Sequence, residues 1–194
     1  MKSLRIALLA GLMLTIAAPC LAQAMGSDSD QFLQAVQSRD GNSATALIDS
    51  HPTIINSKQV NGDTGLVMVI RRGDADWTGF LLDKGADPNI PGKNGDTPLI
   101  AAAKAGFDDA AAWLLQSGAK VDGTNKMGET ALIIAVQQRD TKLVKILLAA
   151  GADPDHTDSA AGYSARDYAT RDSRGRDILK LIESASKSSA QPAK

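Results

Sequence analysis

The 194 residues include 21 Lys and Arg against 22 Asp and Glu, a formal charge of -1, which excludes a global electrostatic drive toward nucleic acid or an anionic membrane. A 43% hydrophobic but only 4% aromatic composition suits one domain or repeat array packed from small side chains, not two large domains. One cysteine and two histidines leave little from which to build a nucleophile, an acid–base pair or a metal centre.

The first element is a leader over residues 1–24. Lys2 and Arg5 make a basic start, Ile6 to Ala18 an apolar run, and Ala22-Gln23-Ala24 a small-residue cleavage site, the pattern of a secretory signal peptide cut after Ala24. The apolar run falls short of the roughly 20 residues a membrane span needs, so membrane contact is expected only during export. Ala17-Ala18-Pro19 ahead of Cys20 does not make a lipid-attachment box. Cleavage therefore leaves a mature chain without cysteine, compatible with the oxidising periplasm of a Gram-negative bacterium.

Beyond the leader the chain repeats itself. Gly62-Asp63-Thr64-Gly65-Leu66, Gly95-Asp96-Thr97-Pro98-Leu99 and Gly128-Glu129-Thr130-Ala131-Leu132 recur every 33 residues, and Gly162-Tyr163-Ser164-Ala165-Arg166 follows after 34. Fifteen residues after Leu66, Leu99, Leu132 and Arg166 stand Leu81-Leu82, Leu114-Leu115, Leu147-Leu148 and Leu181-Ile182. The turns Gly85-Ala86, Gly118-Ala119 and Gly151-Ala152 follow three of these pairs. In the same frame Phe32 leads to Leu47-Ile48, so five units are expected.

Each unit reads as two helices and a turn. In the third, Thr97 is the N-cap and Pro98 occupies a first-turn position that needs no amide hydrogen; Leu99, Ala102 and Ala103 form a narrow apolar stripe. Gly106 breaks the helix. A second helix is predicted from about Asp108 to Gln116, burying Trp113, Leu114 and Leu115, with Gly118 ending it. Trp77 and Trp113 accordingly read as core.

These residues resemble the ankyrin repeat, with its G-x-T-P-L start, paired small residues, Leu-Leu pair and G-A-D-x-N end, clearest in Gly85-Ala86-Asp87-Pro88-Asn89. The resemblance implies an all-α ankyrin-repeat solenoid of about five helix-turn-helix units with short β-turn fingers over residues 28–183, terminal units acting as caps. Residues 184–194, small and polar, read as a disordered tail. The sequence departs from the family at Val67, Ile100 and Ile133, which replace the histidine that usually follows the Leu, and at Arg166, which replaces the Leu itself.

Chemistry has few candidates. His51 falls in a turn of the first unit, and the glycines of the repeated starts are turn glycines, not a phosphate loop. His156 with Asp155 and Asp158 is the one cluster that suggests a metal loop, although Asp153 and Asp155 belong to the repeat ending. No catalytic residue, metal or cofactor is assigned.

The resemblance places partner binding on the concave side, made of the fingers and the exposed face of the first helices. It should present Asn61, Asp63, Arg71 and Arg72 from the second unit, Lys93, Asn94, Asp96 and Lys104 from the third, Lys126, Met127, Glu129, Gln137 and Gln138 from the fourth, and Tyr163 and Arg171 from the fifth. Asp63, Asp96 and Glu129 should align as an acidic row beside a basic row of Arg71, Lys104 and Arg171, which screen one another or form a mixed-charge groove; Met127 and Tyr163 are the expected anchors. Reversing Arg71 and Arg72 to Glu should weaken binding with little effect on unfolding. The implied function is a monomeric, non-catalytic periplasmic module that binds another protein as an inhibitor or immunity-type protein, not nucleic acid. The alternatives are a stress-protective or self-associating structural scaffold and a metal-dependent sensor or enzyme.

Overall fold

A computed structural model describes residues 26–189, so the leader expected over residues 1–24 lies outside the described residues. Among the described residues ten α-helices pair into five hairpins: α1 (Asp28–Ser38) with α2 (Gly41–Ser50), α3 (Gly65–Arg71) with α4 (Ala75–Asp83), α5 (Pro98–Ala105) with α6 (Asp108–Gln116), α7 (Ala131–Gln138) with α8 (Thr141–Ala149), and α9 (Ala165–Arg171) with α10 (Arg176–Ser189). The first helices α3, α5, α7 and α9 pack in succession as an inner layer, and α4, α6, α8 and α10 as an outer one. Among the described residues there is no strand. Isolated bridges Lys58–Thr64 and Thr157–Ser164 pinch two of the fingers.

The recurring Thr or Ser makes the inner helices begin where they do. The side-chain oxygens of Thr64, Thr97, Thr130 and Ser164 accept from the amides of Val67, Ile100, Ile133 and Asp167 at 3.2, 3.2, 3.3 and 3.1 Å, each cap contributing about 1 kcal/mol. Whereas α9 ends at Asp172 in extended conformation, helices α1, α3, α5 and α7 end in a left-handed residue. Gly73 and Gly106 take it at φ 68° and 63°, whereas Arg39 and Arg139 take it at 59° and 61°. Each arginine then offsets some backbone strain by reaching forward, Arg39 to Asp74 at 3.1 Å and Arg139 to Asp172 at 2.5 Å.

The seam between layers is aliphatic. Val67, Ile100 and Ile133, in place of the histidine, are fully buried at 0% exposure. Each gains about 1.5–3 kcal/mol of burial in place of a hydrogen-bond network. Ala101, Ala102, Ala103, Ala131 and Ala135 are buried as well, and these small residues let inner helices approach closely. Trp77 is buried edge-on to Phe80, whereas Trp113 is only half-buried, edge-on to Phe107.

Units are also stitched through the backbone. The side-chain oxygens of Asn56, Asn89 and Asp122, one unit apart, accept from the N–H groups of Asp87, Lys120 and Asp153 at 2.9, 2.8 and 3.0 Å. This is what the last residue of the G-A-D-x-N turn does.

Helix α10 corrects the expected boundary of the tail. It continues through residues 184–189, anchored upstream by buried Ile178 and Ile182. The inner units stop their second helices at Gly85, Gly118 and Gly151, all left-handed. No glycine follows Leu181-Ile182, so nothing in the sequence halts the helix there.

Candidate functional site

Fingers and inner helices together set two residues of each unit eight apart on the concave face: Asp63 with Arg71, Asp96 with Lys104, Glu129 with Gln137, and Tyr163 with Arg171. The two rows form one bonded lattice. Arg71 Nη2 lies 3.7 Å from Asp63 Oδ1 and 3.3 Å from Asp96 Oδ2; Lys104 Nζ lies 2.7 Å from Asp96 Oδ1 and 4.0 Å from Glu129 Oε2. Asn125 Nδ2 donates to Asp96 at 3.1 Å and to Glu129 at 2.7 Å. In the last unit the pair changes chemistry, with the Arg171 guanidinium stacked 4.2 Å above the Tyr163 ring.

The lattice corrects the expected acidic row. Asp63 and Asp96 are only 5% and 2% exposed, and Glu129 is half-buried, so this is no open acidic surface. The cause is stacking: Asp63 Oδ1 accepts the Lys93 amide of the next finger at 2.7 Å, and Asp96 is clamped between two units. The second arginine is likewise committed. Arg72 donates to the carbonyls of Gln37 and Val36 at 3.2 Å each, capping the end of α1, so reversing Arg71 and Arg72 to Glu would disturb folding as well as any binding.

What the concave side exposes is therefore different. Arg71, Arg72, Lys104 and Arg171 remain exposed above their partners, and Asn61, Asn94, Gln137 and Gln138 supply amides between them. Arg71, Asp96, Ala101, Lys104 and Ala105 line a small cleft of about 280 Å³ at its centre. At the finger tips stand Lys93, Lys126 and Met127, the last 49% exposed, together with fully exposed Val60, which the sequence reading did not single out. Its signal lay in the frame, since Val60 holds the position of Lys93 and Lys126. Tyr163 is half-buried beneath Arg171 and edge-on to Tyr168, so it is a weaker anchor than Met127.

The loop around His156 is absorbed by the fold. Asp158 is 4% exposed; its Oδ1 accepts from the amides of Ala160, Ala161 and Gly162 at 3.0, 2.6 and 3.1 Å, and its Oδ2 from the Tyr168 hydroxyl at 2.6 Å. Burial pushes this carboxyl up, but the hydroxyl and the amides outweigh it and hold Asp158 below its ordinary value, while the same bond raises Tyr168. Asp155 is gripped by Arg166, Nε at 2.6 Å and Nη2 at 3.1 Å, which also lowers it. Among the described residues no group of His, Cys, Asp and Glu is placed to hold a metal ion. His51 occupies the turn after α2, its Nδ1 3.2 Å from Asp28 Oδ2.

A model of ankyrin repeats, three copies long, matches residues 32–125 and 68–158 of the chain. No curated protein matches it.

Proposed function

Since the chain belongs to the ankyrin-repeat family, a typically non-catalytic fold for protein–protein interaction, we propose that it is an exported module that binds one periplasmic protein on its concave face. The chemically capable side chains support a binding role. Asp63 and Asp96 are taken up by bonds that join units, and Asp155 and Asp158 by Arg166, Tyr168 and finger amides close by in the chain, whereas the concave side chains left to solvent are arginines, lysines, amides, Val60 and Met127. A stack of this kind offers a long curved surface, and a standard interface of about 800 Å² per partner needs no catalytic group.

The leader pattern of Lys2, Arg5, the apolar run and Ala22-Gln23-Ala24 supports the export part of this reading. An inhibitor or immunity-type role fits a small monomeric binder that acts by covering a partner.

Affinity capture from periplasmic extract tests the reading, with Ala105→Trp as control, because Ala105 is exposed at the central cleft and a bulky ring there obstructs it. The expected outcome is a stoichiometric partner retained by the wild type and lost by the variant, on a chain whose N-terminus is Met25. Failure to retain a partner under any growth condition, or equal retention by both proteins, would remove the concave-face assignment.

A further inference from the structure

We infer that the concave face selects an acidic protein segment, one carrying several Asp or Glu side chains; this rests on the concave face being the partner surface and names the partner's chemistry. Six cations, Arg71, Arg72, Lys93, Lys104, Lys126 and Arg171, are exposed on that side. The carboxylates that meet them are Asp63 and Asp96, both buried, half-buried Glu129, and Asp74, which lies 3.8 Å from Arg72. Four carboxylates cannot neutralise six cations, and the anions are the inward members of each pair, so solvent meets the positive ends. Because the chain as a whole has a formal charge of -1, the positive side is a local segregation and not a reflection of composition.

Lys93 and Lys126 carry the inference furthest. They occupy one position on adjacent fingers, which are tied together by the Lys126 amide donating to the Asn94 carbonyl at 3.1 Å. Their ammonium groups make no hydrogen bond or ion pair among the described residues. Arg171 lies over an aromatic ring instead of a carboxylate, so its charge is also uncompensated by direct contact. The fold uses Arg71, Arg72 and Lys104 to join units; it uses the Lys93 and Lys126 side chains for nothing.

A protein segment fits better than a nucleic acid. Single strands are held by exposed aromatic platforms, and the one aromatic ring at the concave ends of the fingers, Tyr163, is covered by Arg171. Between the cations the fingers offer Asn61 and Asn94 amides and the apolar Val60 and Met127, which suit a main chain and its aliphatic side chains. Charges at such a rim act chiefly on association rate and its salt dependence.

The test measures binding of a fluorescein-labelled peptide alternating Glu with Leu and Ser, beside its Lys-for-Glu counterpart and an oligothymidylate of similar length. Wild type is expected to bind the acidic peptide at low ionic strength and ignore the basic one, with affinity falling steeply as salt rises. Lys93→Glu with Lys126→Glu should weaken binding about tenfold at low salt, and the Gln pair by less, both with an unchanged urea midpoint. No binding of the acidic peptide, equal binding by the Gln and Glu variants and wild type, or tighter binding of the oligonucleotide would overturn the inference. A partner captured from extract that Ala105→Trp loses but the Lys93 and Lys126 variants keep would leave the concave-face reading standing and remove this one.

Discussion

The inner units and the last unit face the same structural demand with different side chains. Inside the stack, Asn56, Asn89 and Asp122 each hold a backbone N–H of the unit that follows. Asp155 holds the fourth such position, and there the Arg166 side chain of the last unit, 11 residues on, closes on it in place of a backbone N–H 31 residues on. The concave pairs show the same change: an inner carboxylate is shared between two units through Arg71 and Lys104, whereas Tyr163 and Arg171 meet within one. A repeat remains a repeat where its polar groups reach a full unit ahead, and becomes an end where they close over a short span of chain.

The largest effect should come from cutting an inner forward contact. Asp96→Ala removes the anion that holds Arg71, Lys104 and Asn125 together. It should cost about 3 kcal/mol in urea unfolding, toward the low end for a buried pair because both cations keep some hydration. Tyr163→Ala, at the matching position of the last unit, should cost about 1 kcal/mol from the lost cation and ring contacts. Equal losses at the two positions would break the comparison.

Gly92→Ala should cost about 2 kcal/mol. Its matching positions carry Gln59, Asn125 and Asp158, and its φ of -90° suits any residue, so backbone freedom is not the reason for glycine. A Cβ there would collide with Asp63 Oδ1 and crowd Val67 Cγ1. Asp63→Ala should therefore absorb part of the loss in the double variant. Strict additivity of the two unfolding energies would show that the carboxylate is not what excludes the side chain.

Arg166→Leu restores the residue of the inner units and should cost less than about 1 kcal/mol, because Asp155 is 61% exposed and its pair is well screened. The sign with pH follows from Asp155, whose folded-state value Arg166 lowers. Its contribution is complete above the ordinary aspartate value of about 3.9 and is lost as pH falls through the lowered one. Wild type and variant should thus differ in urea midpoint at neutral pH and converge in strong acid. A difference that persists in acid would mean that Arg166 acts through packing.

The helical hairpins were legible because caps and apolar positions obey local rules: α6 runs over Asp108 to Gln116, as the spacing predicts. The identity of the concave positions was legible too, since register alone assigns them. Their exposure was not. Asp63 and Asp96 look like surface carboxylates in a single unit and become buried only when the next finger closes over them, with the Lys93 amide on one and Asn125 on the other. The length of α10 was missed because a stop signal is easier to read than its absence, and the fate of Arg166 because its partner Asp155 belongs to a turn whose usual receiver lies in the next unit.

The smallest effect is a gain, and it tests whether inner units are uniformly well made. The outer helices α2, α4 and α8 begin with Asp40, Asp74 and Asp140, each capping an amide three residues on. Helix α6 begins with Phe107, and its aspartate comes one residue late, at Asp108. From there it caps nothing: Oδ1 is buried without a partner, while Oδ2 meets Lys142 at 3.2 Å. Burial pushes the Asp108 carboxyl above its ordinary value, Lys142 opposes this, and the neighbouring Asp140 carboxylate adds to it. A raised folded-state acid binds more protons than the unfolded chain between the two values, so stability falls as pH rises through that window and stays lower above it. Asp108→Asn removes the charge and gives Asp140 a donor, at the expense of the ion pair with exposed Lys142. It should raise stability by about 0.5 kcal/mol at neutral pH and make no difference in acid, where Asp108 is already neutral. Loss of stability at neutral pH would show that the Lys142 pair outweighs the buried charge, and that α6 is as well started as its neighbours.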